Sequence, residues 1–456
     1  MTAHRFAVKV LVFTTLFGVT IQSAISQNKP LNLKQCVDIA LEGNSQIKTS
    51  QYQVKIADAN VTSQRSALLP TITTNLYSGQ TRVGPSEYLD RVPTGLDENG
   101  NVVYDIKKAV SEEINYNSNN MSFRLSQQIF DFGQTYNNIK QSSASREAMR
   151  NSLRSTTQST IYNVHNAYYS LLKAQRLVEV YEESVKQYEE QLKRTQSMYE
   201  IGSVAQADVY KSESSLGTEK IKLISQKNVV QEAQGNLNVI LGRKADTPVD
   251  VVDLPDVTQP KLYSMTDVLN KAVATNPDLQ RYKSEMAAAN HGRKSARMAY
   301  LPTISASASY QRRNDEISRV YSGFDKDWTL AFGISLDYNL FSGMRDMADV
   351  TRQTYNYRIA SENLEYTRRD IKRSVINALN GLEAYREIAN INQSNLIASQ
   401  EDLRLAQERY RVGAGTLLDV LTAQSSLTSA KSTLVRAKYD MKIYEAQLAS
   451  LTGELQ

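Results

Sequence analysis

Arg65-Ser-Ala-Leu-Leu-Pro-Thr-Ile72 recurs 232 residues later as Arg297-Met-Ala-Tyr-Leu-Pro-Thr-Ile304. Tyr199-Glu-Ile-Gly202, followed by Asp208-Val209, recurs 211 residues later as Tyr410-Arg-Val-Gly413, followed by Asp419-Val420. The offset changes only between Ile72 and Phe130, so the first copy holds 21 extra residues in that interval. The chain is therefore a tandem duplication of one long unit. The copies of a duplicated unit typically pack side by side into an extended wall of repeated elements.

The composition places the chain outside the cytoplasm and away from nucleic acid. Residues 1–26 have the pattern of a secretory signal peptide, with basic Arg5 and Lys9, an apolar stretch and small residues near Ser26. Removing this segment lowers the net formal charge from +5 to +3, which is too balanced to indicate nucleic-acid binding. The single cysteine, Cys36, has no disulfide partner, and we expect it to be buried.

The strongest strand signal runs from Trp328 to Leu340, where large apolar residues alternate with small or polar ones. A weaker alternation surrounds Phe123. Each copy therefore predicts one β-hairpin, at about 70–132 and about 302–341, with polar loops at 84–116 and 314–326. The apolar face of the strong strand consists of Trp328, Leu330, Phe332, Ile334, Leu336, Tyr338 and Leu340, of which the first six are the predicted lipid-facing residues.

Long helices flank these strands. The segments 33–69 and 265–301 are predicted to be helical, with breaks near Gly43-Asn44 and at Asn276-Pro277. Apolar residues repeat every seven positions through 134–241 and 343–453, which predicts two coiled-coil hairpins that turn at Gly202 and Gly413. We therefore expect repeats at 27–242 and 265–456, joined by a proline-containing linker at 243–264.

An apolar-out, polar-in strand with aromatic ends is typical of an outer-membrane β-barrel. Two hairpins give only four strands, and open sheet edges are not tolerated in lipid. Three chains would supply twelve strands, whereas two would supply eight, whose interior is filled by side chains. The fold class we predict is mostly α with a small β part: a trimeric twelve-stranded barrel that continues into a periplasmic α-helical barrel about 100 Å long. A soluble β-sandwich is the alternative for the strands.

The chain resembles the TolC-like outer-membrane efflux family over essentially its whole mature length. The resemblance rests on the duplicated Leu-Pro-Thr-Ile exits, on Ile129-Phe130-Asp131 and Leu340-Phe341-Ser342, and on the Tyr-x-x-Gly…Asp-Val tips. It implies a homotrimeric channel-tunnel in the outer membrane that extends into the periplasm. Such a duct binds a periplasmic adaptor (membrane fusion) protein and an inner-membrane pump of the RND or ABC type, and it passively releases drugs, metal ions or proteins.

The resemblance also assigns the tip residues. Gly202 and Gly413 are expected to be helix C-caps that meet the adaptor. Asp208 and Asp419 are expected to face the periplasmic mouth, where rings of carboxylates attract cations. Thr422 stands where the family has a second aspartate, and Gly415 stands where some members have an arginine. The remaining candidates for the gate are Tyr199 and Tyr410. We expect them either to pack where the tips meet or to form hydrogen bonds at the gate.

The sequence gives no sign of catalysis. It contains no phosphate-binding glycine loop, nucleophile elbow or zinc-ligand spacing, and His165 and His291 are isolated from other ligand-type residues. We therefore expect neither an enzyme nor a cofactor or metal site. A non-conducting coiled-coil scaffold that spans the periplasm is the alternative function. The cargo, the pump type and the resting state of the gate stay open.

Overall fold

The computed structural model describes residues 30–253 and 263–455. The predicted signal peptide lies outside these residues, as does 254–262 of the predicted linker. The described residues are mostly helical, with a smaller β part. The helices are α1 (Leu33–Gly43), α2 (Ser45–Arg65), α3 (Gln134–Glu200), α4 (Gln206–Ile240), α5 (Met265–Thr275), α6 (Pro277–Met298), α7 (Ile317–Tyr321), α8 (Arg345–Arg411) and α9 (Leu417–Leu451). The strands are β1 (Thr71–Val83), β2 (Glu87–Leu96), β3 (Val102–Val110), β4 (Ile114–Phe130), β5 (Thr303–Asn314) and β6 (Trp328–Asp337).

Two asparagines join the short helices α2 and α6 end to end with the returning helices of the long hairpins. The side chain of Asn44 caps α2 by accepting hydrogen bonds from the backbone amides of Gln46 and Ile47. Its Nδ2 also donates to the carbonyl of Ile240, the last residue of α4, at 2.9 Å. Asn276 caps α6 in the same way and donates to the carbonyl of Leu451 at 3.2 Å. The start of α2 therefore meets the end of α4, and the start of α6 meets the end of α9.

The four main strands form one antiparallel sheet in the order β1-β4-β5-β6. The hairpins β1–β4 and β5–β6 come from the two repeats, and β4 pairs with β5 between them. Each hairpin leads into a long helix through left-handed backbone, at Phe132 and Gly133 in the first copy and at Gly343 and Met344 in the second. The carboxylate of Asp131 fixes the first passage by accepting from the amides of Gly133 and Thr135.

The prediction of a polar loop at 84–116 is wrong, because β2 and β3 form a second hairpin there. Its turn is closed by Asp97, whose carboxylate accepts from the amides of Asn99 and Asn101, while Gly100 has a φ of 83°. The prediction for 314–326 also needs correction, since α7 lies within it. The strong strand ends at Asp337, so Tyr338 lies just beyond it rather than within it.

Apolar packing is concentrated in three clusters along the helices. One surrounds α1, α3 and the start of the linker, and it contains the fully buried Cys36 and Tyr168. A second lies where α5, α6, α8 and α9 meet, around Val375 and Leu279. The third lies at the far end of the two long hairpins, where residues of both repeats pack together. The linker is fixed to the first cluster, because Leu31 bridges Val251 and the Tyr168 hydroxyl donates to the carbonyl of Val252.

We expect Cys36 to resist thiol reagents in the folded protein. It is fully buried, and burial raises its pKa to about 11, so very little thiolate exists near neutral pH. Labelling with a maleimide at pH 7 should therefore be slow in the native protein and rapid in denaturant. Equal labelling rates in the two conditions would contradict the buried position.

Candidate functional site

The tips of the two helical hairpins have the same backbone design. At the end of α3, Gly202 adopts a φ of 78°, and the amides of Gly202 and Ser203 donate back to the carbonyls of Tyr199 and Met198. Gly413 has a φ of 74° at the end of α8, with the same pair of hydrogen bonds. These are Schellman caps, which favour glycine because the left-handed conformation is costly for residues with a Cβ. A Cβ at either glycine would meet nothing within 4 Å, so both turns face open space.

The predicted tyrosines are not equivalent. Tyr410 is only 3 % exposed and packs in the tip cluster with Val420 and Leu421. Burial raises the pKa of Tyr410, and the nearby carboxylate of Asp208 adds to that effect. Tyr199, in contrast, is 43 % exposed. Tyr410 is therefore part of the packed core of the tip, while the side chain of Tyr199 is partly exposed to solvent.

The two predicted aspartates also differ. Asp419 forms a capping box with Thr416, whose amide and hydroxyl donate to the carboxylate at 2.8 and 2.7 Å. These hydrogen bonds, the backbone one first, lower the pKa of Asp419, with a further contribution from Arg409. At the other tip, Ala205 precedes α4 and provides no side-chain cap, so Asp208 stands in the first helical turn without such a partner at the N-cap. As whole residues, Asp208 is half-buried and Asp419 is exposed.

Gly415 and Thr422 are placed differently. A Cβ at Gly415 would lie 3.0 Å from the Cβ of Arg409 and 3.3 Å from the amide nitrogen of Tyr410. The backbone is thus tightly packed at Gly415, where any larger side chain would meet α8. Thr422 is exposed and lines a groove of about 810 Å³ between α4, α8 and α9, together with Lys211.

A buried polar cluster beneath this groove joins the repeats, and the sequence analysis did not find it. The hydroxyls of Ser184 on α3 and Thr428 on α9 lie 3.0 Å apart. The Ser184 hydroxyl also donates to Glu219 on α4, whose buried carboxylate pairs with Lys222 at 2.7 Å. In the sequence, only Glu219 could have indicated this cluster, because it occupies a position of α4 that packs against α3. Serine and threonine are common on any helix surface and give no such indication.

The sheet presents a second candidate surface. On one face the side chains of β6 are exposed, including Phe332 at 75 % and Ile334 at 81 %. Their neighbours across the ladder, Ala308 and Ala306, lie on the same face. Further exposed apolar side chains on this face belong to β1 and β4, namely Ile72, Leu76, Phe123 and Leu125. These exposed apolar side chains are neighbours on one face of the sheet, whereas the exposed apolar residues of a water-soluble surface are usually scattered singly.

The described residues provide no obvious metal site, since no three His, Cys, Asp or Glu side chains come together within 30–253 and 263–455. His165 packs edge-on against Tyr169, and burial lowers its pKa. The ring of His291 lies 3.1 Å from the Oδ1 of Asn137, and burial followed by the charge of Lys294 lowers its pKa. Within the described residues, no helix is both long and apolar enough to cross a membrane.

We expect Gly202→Ala and Gly413→Ala each to destabilise its tip turn by about 1–2 kcal/mol, because alanine must adopt the left-handed conformation. Faster amide hydrogen exchange at the ends of α3 and α8 would show this. Gly217→Ala is the matched control, since Gly217 lies inside α4 with open space around its Cβ position, and alanine should stabilise that helix. Tip variants that exchange no faster than the parent would contradict the assignment.

Comparisons with known proteins agree with this architecture. The family model described as outer membrane efflux protein matches residues 36–243 and 268–454, one segment in each repeat. The outer membrane efflux protein BepC of Brucella suis is 24 % identical over 419 residues, which cover 91 % of this chain and 84 % of BepC. The outer membrane protein TolC of Escherichia coli is 24 % identical over 449 residues, which cover 96 % of this chain and 86 % of TolC.

Solved structures show the same fold. The outer membrane channel CmeC of Campylobacter jejuni superposes with a TM-score of 0.77 at 18 % sequence identity, covering 92 % of this chain and 85 % of CmeC. The family match spans both repeats and most of the chain, and it confirms the resemblance carried by the duplicated motifs. The chain belongs to the outer membrane efflux protein family.

Proposed function

We propose that this outer-membrane protein is a homotrimeric channel-tunnel, the passive exit duct of an efflux or secretion system. The observation that carries the proposal is the pairing, in one chain, of an exposed apolar sheet face with helices of 67 residues. Helices of that length extend about 100 Å. Such a duct must present an apolar surface to lipid at one end, and at the other end it must extend far into the periplasm.

The sheet supports the membrane part of the proposal. One face carries large apolar side chains, and the other carries small or polar ones such as Thr329, Ser335 and Ser307. This alternation suits a barrel wall with lipid outside and water inside. Since β1 and β6 are the open edges of the four-stranded sheet, a closed barrel requires further copies of the chain. Three copies give the twelve strands of the predicted barrel.

The helices support the periplasmic part. Next to the sheet, α2 packs on α3, α3 on α6, and α6 on α8, so these helices form one layer in the order α2-α3-α6-α8. Farther from the sheet, α3 packs on α4 and α9, and α9 packs on α8. A single chain therefore supplies a segment of a wall rather than a closed bundle, and three segments would enclose a tunnel.

The tip is where we place the partners. The open turns at Gly202 and Gly413 are accessible to a periplasmic adaptor protein, and the neighbouring Asp208, Asp419 and Thr422 are the proposed lining of the mouth. An inner-membrane pump of the RND or ABC type would then supply the energy for export. The small, polar inner face of the sheet gives no preference for drugs, metal ions or proteins as cargo.

The alternative is a non-conducting scaffold that spans the periplasm, which the heptad pattern alone would allow. The exposed apolar face of β6 favours the duct, because a periplasmic scaffold has no need of a lipid-facing sheet. Placing a charge on each face of β6 in turn distinguishes the duct from the scaffold.

We expect Ile334→Arg to cost about 2–4 kcal/mol and to reduce insertion into the outer membrane, because the arginine would face lipid. Ser335→Arg is the matched control, since the adjacent side chain points to the opposite, proposed water-filled side. The amount of protein in fractionated outer membranes measures the difference. The assignment of the lipid-facing side would be contradicted if both variants lost the same amount of outer-membrane protein, or if neither variant lost any.

The conduit itself is tested by single-channel recording in planar bilayers. The purified protein should show discrete conductance steps, and substitutions that loosen the tip, such as Tyr410→Ala, should increase the open time. A correctly assembled protein that never conducts, with or without tip substitutions, would favour the scaffold.

A further inference from the structure

The hairpin β2–β3 continues the hairpin β1–β4 in a single register. Val83 lies opposite Ile114 at the outer end of β1 and β4, and Glu87 lies opposite Val110 where β2 and β3 pair next. Three residues separate these two pairs on each side of the ribbon, at 84–86 and 111–113. Because side chains alternate along a strand and a step of four residues is even, Val83 and Glu87 belong to the same face of one long ribbon.

The face that lines the proposed water-filled interior can be followed across the sheet to this ribbon. Thr329, on the water side of β6, lies opposite Gln311 of β5. Gln311 lies opposite Ser122 of β4, which in turn lies opposite Asn75 of β1. The water side of β1 therefore consists of its odd-numbered residues, and it ends at Val83.

The two faces of the ribbon exchange their polarity at the outer end of the barrel sheet. On the lipid side, the apolar residues of β1 and β4 are followed by Arg82, which pairs with Glu113. On the water side, polar residues such as Asn75 are followed by Val83 and Ile114. Beyond this level the same side carries a set of apolar residues, which we call the cap face: Leu89, Pro93, Leu96, Val102, Tyr104, Ile106 and Val110.

The cap face is exposed in a single chain. Leu96 and Ile106 are 70 % and 61 % exposed. The charged residues on this side lie toward the base of the hairpin, where Lys108 pairs with Glu87 at 3.6 Å. Between Arg91 and the turn, the cap face contains no charged residue. The outer half of the hairpin therefore presents an uninterrupted apolar surface toward the axis of the proposed barrel.

This hairpin needs a packing partner, because a two-stranded ribbon alone is at best marginally stable in water. Among the residues that the structure describes, β2 and β3 form a sheet only with each other. The opposite face also has exposed apolar residues, Tyr88 and Val103. Asp90, Asp105 and Lys107 lie between them, so that face suits water better than the cap face does.

The proposed homotrimer supplies the partner. Each chain provides one such hairpin, because the corresponding loop of the second repeat, 314–326, contains α7 instead. A twelve-stranded barrel with strands about 4.8 Å apart and tilted by about 40° has a radius of about 12 Å. The 10 residues of β2 extend about 33 Å at about 3.3 Å per residue. Each hairpin is therefore long enough to reach the axis and meet the other two.

The ribbon has few ladder hydrogen bonds where it leaves the barrel sheet. Pro85 has no amide hydrogen to donate, and a Cβ at Gly84 would meet nothing within 4 Å. The amide of Ser86 donates to the side-chain hydroxyl of Ser111 at 3.0 Å. The return bond, from the amide of Ser111 to the carbonyl of Ser86, is 2.9 Å long. This short break is where the hairpin can lean over the opening without disturbing the barrel strands.

We propose that the cap faces of three β2–β3 hairpins pack against one another over the external opening and form an apolar cap. The inference rests on the proposed homotrimer and adds a contact between subunits outside the membrane. Outer-leaflet lipid does not suit the cap face, because the register places that face on the side of the ribbon away from lipid. Cargo then leaves the duct by separating the three hairpins.

Cross-linking of single cysteines in the purified trimer tests the cap. A short bis-maleimide should convert most of the Ile106→Cys protein into dimers on a denaturing gel, because the cap faces meet at the axis. Val102→Cys provides a second position on the same face and should behave alike. Lys107→Cys is the matched control, since its side chain lies on the opposite face, and it should stay monomeric. The parent chain, with only buried Cys36, gives the background.

Cross-linking of Ile106→Cys and Val102→Cys without cross-linking of Lys107→Cys would support the cap. Trimers on native gels that give no cross-link at either cap-face position would overturn it, as would equal or stronger cross-linking of Lys107→Cys. Quenching of a fluorophore on Ile106→Cys by brominated lipid would identify outer-leaflet lipid as the occupant and would also overturn the cap. The proposed duct would survive these results, whereas absence of any trimer would overturn both the cap and the proposed homotrimer.

Discussion

The unpaired backbone groups along β1 and β6 are the constraint on which this structure depends. In water, such edges are solvated, but in lipid each unsatisfied N–H or C=O group costs several kcal/mol. In the proposed duct, the exposed apolar face formed by Phe332, Ile334 and their neighbours lies in lipid. The proposed duct therefore requires closure with further copies, and the layer of helices next to the sheet must follow the same closure.

Polar contacts connect the parts of the chain into one continuous unit. Asn44 and Asn276 each cap one helix and donate to the final carbonyl of another, so that two shorter helices run alongside each long one. Near the tip, Ser184, Glu219 and Thr428 connect α3, α4 and α9 across the two repeats.

Much of this architecture is readable from the sequence because local rules dominate it. Leu-Pro pairs end helices, left-handed turns at helix ends favour glycines such as Gly202, and strict alternation marks β6. The hairpin β2–β3 was missed because charged residues interrupt its alternation, although Asn99-Gly100 signals a turn. The difference between buried Tyr410 and exposed Tyr199 depends on how the two tips pack together. Near-identical local sequences carry no information about such long-range packing.

The central proposal is that three copies of the chain close one barrel and one tunnel. Electron cryo-microscopy of the purified protein in lipid nanodiscs tests this most directly. The account predicts three subunits around one axis, twelve strands within the lipid, and β6 of each subunit beside β1 of the next. A ring with another number of subunits, or a sheet edge left open within the lipid, would contradict it.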